Sequence, residues 1–276
     1  MTYKYDVSIL MPAIRTHMWK SMYDSILSSC KRYSFELVLI SPFDLPEELS
    51  SFENIKLIKD FGCPSRCAQM GIEYCEGELL FHCVDDAIFL EDATDLAIDL
   101  YKQKCGKKDV VNMRYREGSN FSGGTWDPNF WLAHYHQELR QKGIPPLFKI
   151  SLHHLMSLEY FKELGGWDCR FEYINHSLHD LMFRVQEDGG KLFDSETDVT
   201  NCNHFIGRTV DHAAIHDAQT YFDAPKFYEI YGHKEHAARE RIKIQFDNWK
   251  QQPEYWVRRF KGTKPTKYSE LLLINY

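Results

Sequence analysis

Two apolar runs, "DVSILMP" at residues 6–12 and "FELVLISP" at 35–42, both stop at proline, as buried strands that open into loops do. Between them Met18, Met22, Ile26 and Leu27 recur at spacings of three to four, which marks one face of a helix. Strand, helix and strand in this order read as a right-handed crossover onto a parallel sheet. The unit then repeats. "NIKLIKDFG" (54–62) predicts a strand, "PSRCAQMGIEYC" (64–75) a helix and "GELLFHCVDD" (77–86) a central strand. "ATDLAIDLYKQ" follows as an amphipathic helix and "DVVNMRY" as one more strand. The expected fold class is α/β, a mostly parallel sheet flanked by helices.

A chain of 276 residues holds one large domain or two small ones, and its 43% hydrophobic and 26% charged residues are those of an ordinary globular protein. No stretch approaches the roughly 20 apolar residues of a membrane span, and "MTYKYDVSIL" lacks the charged head and apolar segment of an export signal. The expected address is the cytoplasm, the host's if the chain is viral. Eight cysteines at irregular spacings then read as reduced thiols, and Cys63 and Cys67 lack the second pair that a zinc site needs. A net charge of −7 argues against a general nucleic-acid coat and leaves a local basic patch open.

In parallel α/β sheets ligands bind beyond the carboxyl ends of the strands. Asp85 and Asp86 fall at such an end, in "FHCVDDAIFL". Adjacent carboxylates there repel each other unless a cation joins them, and Mg²⁺ and Mn²⁺ prefer oxygen ligands and bridge to substrate phosphates. The alternative is a pair of solvated turn residues.

The order of these pieces resembles the GT-A glycosyltransferases, in particular the large family two, over roughly residues 5–215. "VSILMPAIR" is similar to that family's first nucleotide-binding segment, and "FGCPSRCAQMGIEYCEGELLFHCVDD" to the stretch leading to its acidic metal motif. "YFKELGGWDCRF" is similar to its acceptor-side turn, which precedes a helix bearing Asp180, Leu181 and Arg184. The resemblance implies a GT-A domain over 1–216, with 217–276 as a helical, basic and aromatic extension packed on it. It implies transfer of a sugar from a nucleotide-diphosphate donor to an acceptor hydroxyl, with inversion and with Mn²⁺ or Mg²⁺. Pro12, Ala13, Arg15 and Ser41 would line the nucleotide, and Arg66 would face it or its diphosphate. Asp85 would touch the ribose or metal side, and Asp86 would hold the metal.

The sequence departs from the family in three places. "SPFDL" leaves only Ser41 and Asp44 where acidic residues usually read the base and ribose, Ala87 takes the third acidic place, and the Glu-Asp pair before the Asp-Leu helix is missing from "FEYINHSLHDLMFR". Inversion needs a base for the acceptor's proton. Asp180, which shares a helical face with His176 and has His179 beside it, is the expected base, with Glu172 in reserve; an ion pair within the helix is the alternative for Asp180. Members of the GT-A group often return a late His to the metal, and His204 fits that place. His212 and His216 are four apart, but Ala213 stands where a zinc protease needs Glu.

The acceptor is open to a glycan, a protein or a hydroxymethylated base in phage DNA. The loop around Gly123 and Gly124, with Trp126, Phe130, Trp131 and Tyr135, reads as a lid or sugar platform, or equally as a satellite core. Residues 234–252 predict an amphipathic helix, and the basic, aromatic "YWVRRFKGTKPTK" after it predicts a peripheral or partner contact or a plain solvated face. A nucleotidyltransferase and a non-catalytic binding module are the competing readings; "MPAIRTHMWK" is not the glycine-rich phosphate loop of the first.

Overall fold

The structure, a computed structural model, describes residues 2–117, 133–135, 149–202, 215, 217–232, 237–251, 265–267 and 270. The strands are β1 (Tyr5–Pro12), β2 (Phe35–Ser41), β3 (Ile55–Lys59), β4 (Gly77–His82), β5 (Ala87–Phe89), β6 (Val110–Asn112), β7 (Tyr115–Glu117), β8 (Ala133–Tyr135), β9 (Lys149–Ser151), β10 (His154–Ser157), β11 (Leu192–Asp194) and β12 (Thr200–Cys202). The α-helices are α1 (Trp19–Ser29), α2 (Pro64–Gly71), α3 (Ala93–Lys104), α4 (Leu158–Leu164), α5 (Ile174–Glu187) and α6 (Ala224–Tyr231).

Seven strands form the central sheet in the order β11-β6-β10-β4-β1-β2-β3. All neighbours run parallel except β10, which is antiparallel to both β4 and β6. β10 therefore carries the chain away from the end where β4 finishes, and α4 brings it back. A small sheet, β5-β12-β7, stands beside that end, and β8 pairs with β9.

All seven residues of β2 are buried, as a strand covered on both faces requires. Alternate side chains supply two cores: Val7, Ile9, Met11, Leu37 and Leu39 meet α1 and α3 on one face. Leu10, Val38, Ile40 and Leu80 meet α2, α4 and α5 on the other. Each such side chain contributes about 1.5–3 kcal/mol on burial.

Two expectations change. The central strand expected over 77–86 ends at His82, opposite Leu10 of β1, and the two aspartates lie beyond it in a turn. The helix expected over 234–252 is, among the described residues, two 3₁₀ segments, Arg239–Arg241 and Phe246–Gln251. Tertiary hydrogen bonds replace the helical ladder: Ile244 N–H donates to Leu164 O (3.1 Å) and Phe246 O accepts from the Gln69 amide (2.8 Å). The segment is sewn over α2 and the 165–171 loop. Gly165 makes this possible, since it has φ +86° and a Cβ there would lie 2.0 Å from Ile244 O.

Candidate active site

The carboxyl ends of β1 and β4 meet at Asp85. Its carboxylate accepts from Ile14 N–H (2.7 Å), Arg15 N–H (2.6 Å), the Arg15 guanidinium (2.5 Å) and the Trp19 indole (3.3 Å). Four donors on one buried carboxylate fix the loop after β1 against the turn after β4. Its oxygens shape the site. Asp86 is equally buried, at 2% exposure, and one oxygen stands 4.0 Å from the Arg15 guanidinium. Arg15 thus puts one positive charge between two carboxylates.

Pro12 ends β1, and Ala13 is buried, its N–H donating to Ile40 O (2.9 Å). Just past them a cleft of about 610 Å³ opens between the loops after β1 and β2, lined by Thr16, His17, Pro46, Glu47 and Glu48. Ser41 does not line it. Its hydroxyl is fully buried and accepts from Phe43 N–H (3.0 Å), bracing its own turn. Asp44 is exposed and pairs with Lys59 at 2.6 Å.

Arg66, expected to face the nucleotide or its diphosphate, meets the C-terminal segment. Its guanidinium lies 3.2 Å from Asp60, donates to Trp249 O (2.6 Å) and stacks over the Trp249 ring at 5.3 Å. A guanidinium held by a carboxylate, a carbonyl and an indole is committed to bracing the C-terminal segment.

The acceptor-side turn comes to the same end of the sheet. Gln69 on α2 donates to Gly165 O (2.9 Å) and accepts from Trp167 N–H (2.8 Å), and Ser177 on α5 donates to Asp168 O (2.8 Å). The Trp167 ring packs on His82, the last residue of β4, at 4.9 Å, and on His154 at 5.9 Å. Both imidazoles are buried. Burial holds His82 down to about 4 against the opposing bond to Leu152 O. Burial first, then the neighbouring imidazoles, holds His154 well below the usual range.

Asp180 is fully buried. One oxygen accepts from Arg184 (2.8 Å), and the other accepts from the Tyr231 hydroxyl (2.5 Å) and lies 3.1 Å from Arg241. Arg241 also pairs with Asp168, which Arg170 holds from the other side at 2.7 Å. Burial would raise the Asp168 carboxyl, but Arg170 and Arg241 hold it well below the carboxylate range. Asp180 therefore belongs to an internal ion network. A carboxylate shared by two guanidiniums and a phenol has its close contacts inside the protein. The ion-pair alternative describes these contacts.

Glu172 sits just before α5, 3% exposed. Its N–H and that of Tyr173 donate to Asp223 at 2.9 and 2.6 Å. Asp223 ends a one-turn π-helix, Gln219–Asp223, and burial raises its carboxyl to about 7 although the Tyr173 N–H pulls the other way. No local pattern in the sequence announces Asp223, because its partners lie about fifty residues away. His176 and His179 line an aromatic layer with Phe227, at 5.3 and 6.1 Å.

β12 pairs with β5 so that Cys202 stands opposite Ala87, the residue after Asp86. His204, two residues on, lies outside the described residues, as do His212, His216, Trp126, Phe130 and Trp131. Among the described residues no three His, Cys, Asp or Glu side chains converge as a metal site, and no helix is long and apolar enough to cross a membrane.

No family model matches the chain, and no curated protein is similar to it in sequence. Solved structures are similar in fold. Residues 1–349 of S. aureus TarS superpose with a TM-score of 0.52 at 12% identity, over 88% of this chain and 71% of that one. The same segment in complex with UDP gives 0.51 at 13%, over 88% and 71%. GalNAc-T7 with UDP, GalNAc and Mn²⁺ gives 0.51 at 13%, over 94% of this chain and 58% of that one. The sheet order, the crossed β10 and the acidic turn after β4 together give this chain a GT-A fold.

Proposed function

We propose that the protein is a glycosyltransferase that moves a sugar from a nucleotide-diphosphate donor to an acceptor hydroxyl with inversion. The arrangement of Arg15 between Asp85 and Asp86 at the strand ends of a GT-A fold carries this reading. The nucleoside enters the cleft between the loops after β1 and β2, and its diphosphate reaches Arg15 and Asp86. One carboxylate suits a Mg²⁺ or Mn²⁺ ion whose remaining ligands come from the donor's phosphates. Asp86 would hold that ion, with His204 as its second protein ligand, and the ion would neutralise charge on the leaving diphosphate.

The acceptor oxygen attacks the anomeric carbon, and the bond from that carbon to the diphosphate oxygen breaks. Negative charge grows on the diphosphate, where Arg15 stands. The acceptor's proton goes to Glu172, proposed ahead of Asp180 because the Asp180 oxygens are already engaged by Arg184, Tyr231 and Arg241.

Thermal shift with a panel of nucleoside diphosphates and nucleotide sugars, with and without Mn²⁺, tests the donor half. One nucleotide should raise the melting temperature in a Mn²⁺-dependent way, and Asp86→Ala should abolish the response. A panel that stabilises neither protein refutes the proposal. Glu172→Gln should then bind donor normally and lose turnover, by about 10²-fold or more.

A further inference from the structure

Asp223 is fully buried, and it directly precedes α6, the place of a cap for its own helix. An aspartate there ordinarily accepts from N–H groups in the first turn that follows. Asp223 makes no such bond. Both its oxygens cross to another helix, where one accepts from Glu172 N–H (2.9 Å) and the other from Tyr173 N–H (2.6 Å). α5 begins at the next residue and has neither a side-chain cap nor an acidic residue in its first turn. From about fifty residues away, Asp223 therefore supplies the acceptors and the negative charge that the start of α5 lacks.

The rest of α6 secures the same corner. Phe227 packs on Phe171, the residue before Glu172, at 5.9 Å, and on Phe183 of α5 at 6.0 Å. Tyr231, one turn further, packs on Phe183 at 5.3 Å and donates to Asp180. The backbone of Glu172 is thus bounded by a buried ring on one side and held by the Asp223 carboxylate on the other. Burial raises the Asp223 carboxyl to about 7, and among the described residues no cation pairs with it. A buried carboxylate without a counter-charge weakens the fold. What this one fixes is the peptide of the residue proposed as the base.

We propose that Asp223 is a positioning residue: it sets the peptide that carries Glu172 and so aims the Glu172 carboxylate at the acceptor's hydroxyl. This rests on the transferase reading, in which Glu172 takes the acceptor's proton. Asp223 touches neither donor nor acceptor, and its effect on turnover passes through Glu172 alone. Two residues that act as one unit do not add in their effects.

A double-variant cycle on Glu172→Gln and Asp223→Asn tests this at about pH 8, where the Asp223 carboxyl is ionised. Release of nucleoside diphosphate from a panel of UDP- and GDP-sugars with Mn²⁺, water standing in for the acceptor, reports turnover. Asparagine keeps one acceptor oxygen and turns an amide donor toward the second N–H. Asp223→Asn should lower kcat about tenfold with the donor's KM unchanged, and the double variant should be no slower than Glu172→Gln alone. Hydrogen exchange reads the clamp directly: the amides of Glu172 and Tyr173 should be protected in the wild type and exchange about tenfold faster in Asp223→Asn. Asp223→Ser, which also keeps one acceptor oxygen, takes its place if the melting temperature shows Asp223→Asn to be unfolded. Losses that multiply, full turnover by Asp223→Asn or by Glu172→Gln, or unprotected wild-type amides overturn the proposal, while a Mn²⁺-dependent nucleotide response keeps the donor site standing. A wild type that neither answers any nucleotide in thermal shift nor releases diphosphate overturns the transferase reading, and this role with it.

Discussion

His82 gives the sharpest test of the structure near the site. It ends β4 three residues before Asp85, is 1% exposed, and packs against the rings of His154 and Trp167. Its folded value is about 4 against an ordinary 6.5. Between those values the unfolded chain binds a proton and the folded one does not. His82 therefore supports folding fully above about 6.5, and that support is lost as the pH falls toward 4. From pH 7 to pH 5 the loss comes to about 2 kcal/mol for this side chain. Urea unfolding of wild type and His82→Gln at both pH values reads it out, with the titrations of groups away from His82 and His154 cancelling in the difference. The wild type should lose about 2 kcal/mol more than the variant over this interval. Parallel losses would show that His82 takes its proton equally well folded or unfolded, and the packing argument for the end of β4 would fall.

Asp85→Asn should lower stability by about 1–3 kcal/mol and abolish any nucleotide response, because four donors lose their charged acceptor; calorimetry and titration check both. Gly165→Ala should destabilise by roughly 1–3 kcal/mol in denaturant, since it combines a left-handed backbone with a clash against Ile244 O. Arg241→Met should cost about 1–3 kcal/mol by removing the cation that bridges two buried carboxylates, Asp168 and Asp180, which keep Arg170 and Arg184, while Arg239→Met, at an exposed arginine paired with Glu187, should cost about 1 kcal/mol or less. The same unfolding assay compares the two, and equal effects would refute the ion network.

What was legible in the sequence was local. The apolar runs of β1, β2 and β4 announce themselves within ten residues, because burial on both faces leaves a compositional mark, whereas the point at which β4 stops, four residues short of Asp86, does not. Roles set by distant partners leave none. Asp180 looks like a base beside two histidines until Tyr231 and Arg241 fold onto it from more than fifty residues away. Arg66 is similar: a helix-start arginine points to phosphate in isolation, but Trp249 claims it. The stretch 237–251 has helical spacing, yet Gln69 and Leu164 capture its backbone groups before a helix closes.

That capture also orders how the chain matures during synthesis. β1 to β4 and the Arg15–Asp85 contact lie within the first 86 residues and can assemble while the rest is still being translated. The 165–171 turn must wait, since Asn248 caps Cys169 N–H and holds Trp167 O, and Arg241 neutralises Asp168. The half of the sheet that carries Arg15 and Asp85 can thus form first, and the 165–171 turn closes only when almost the whole chain has been made.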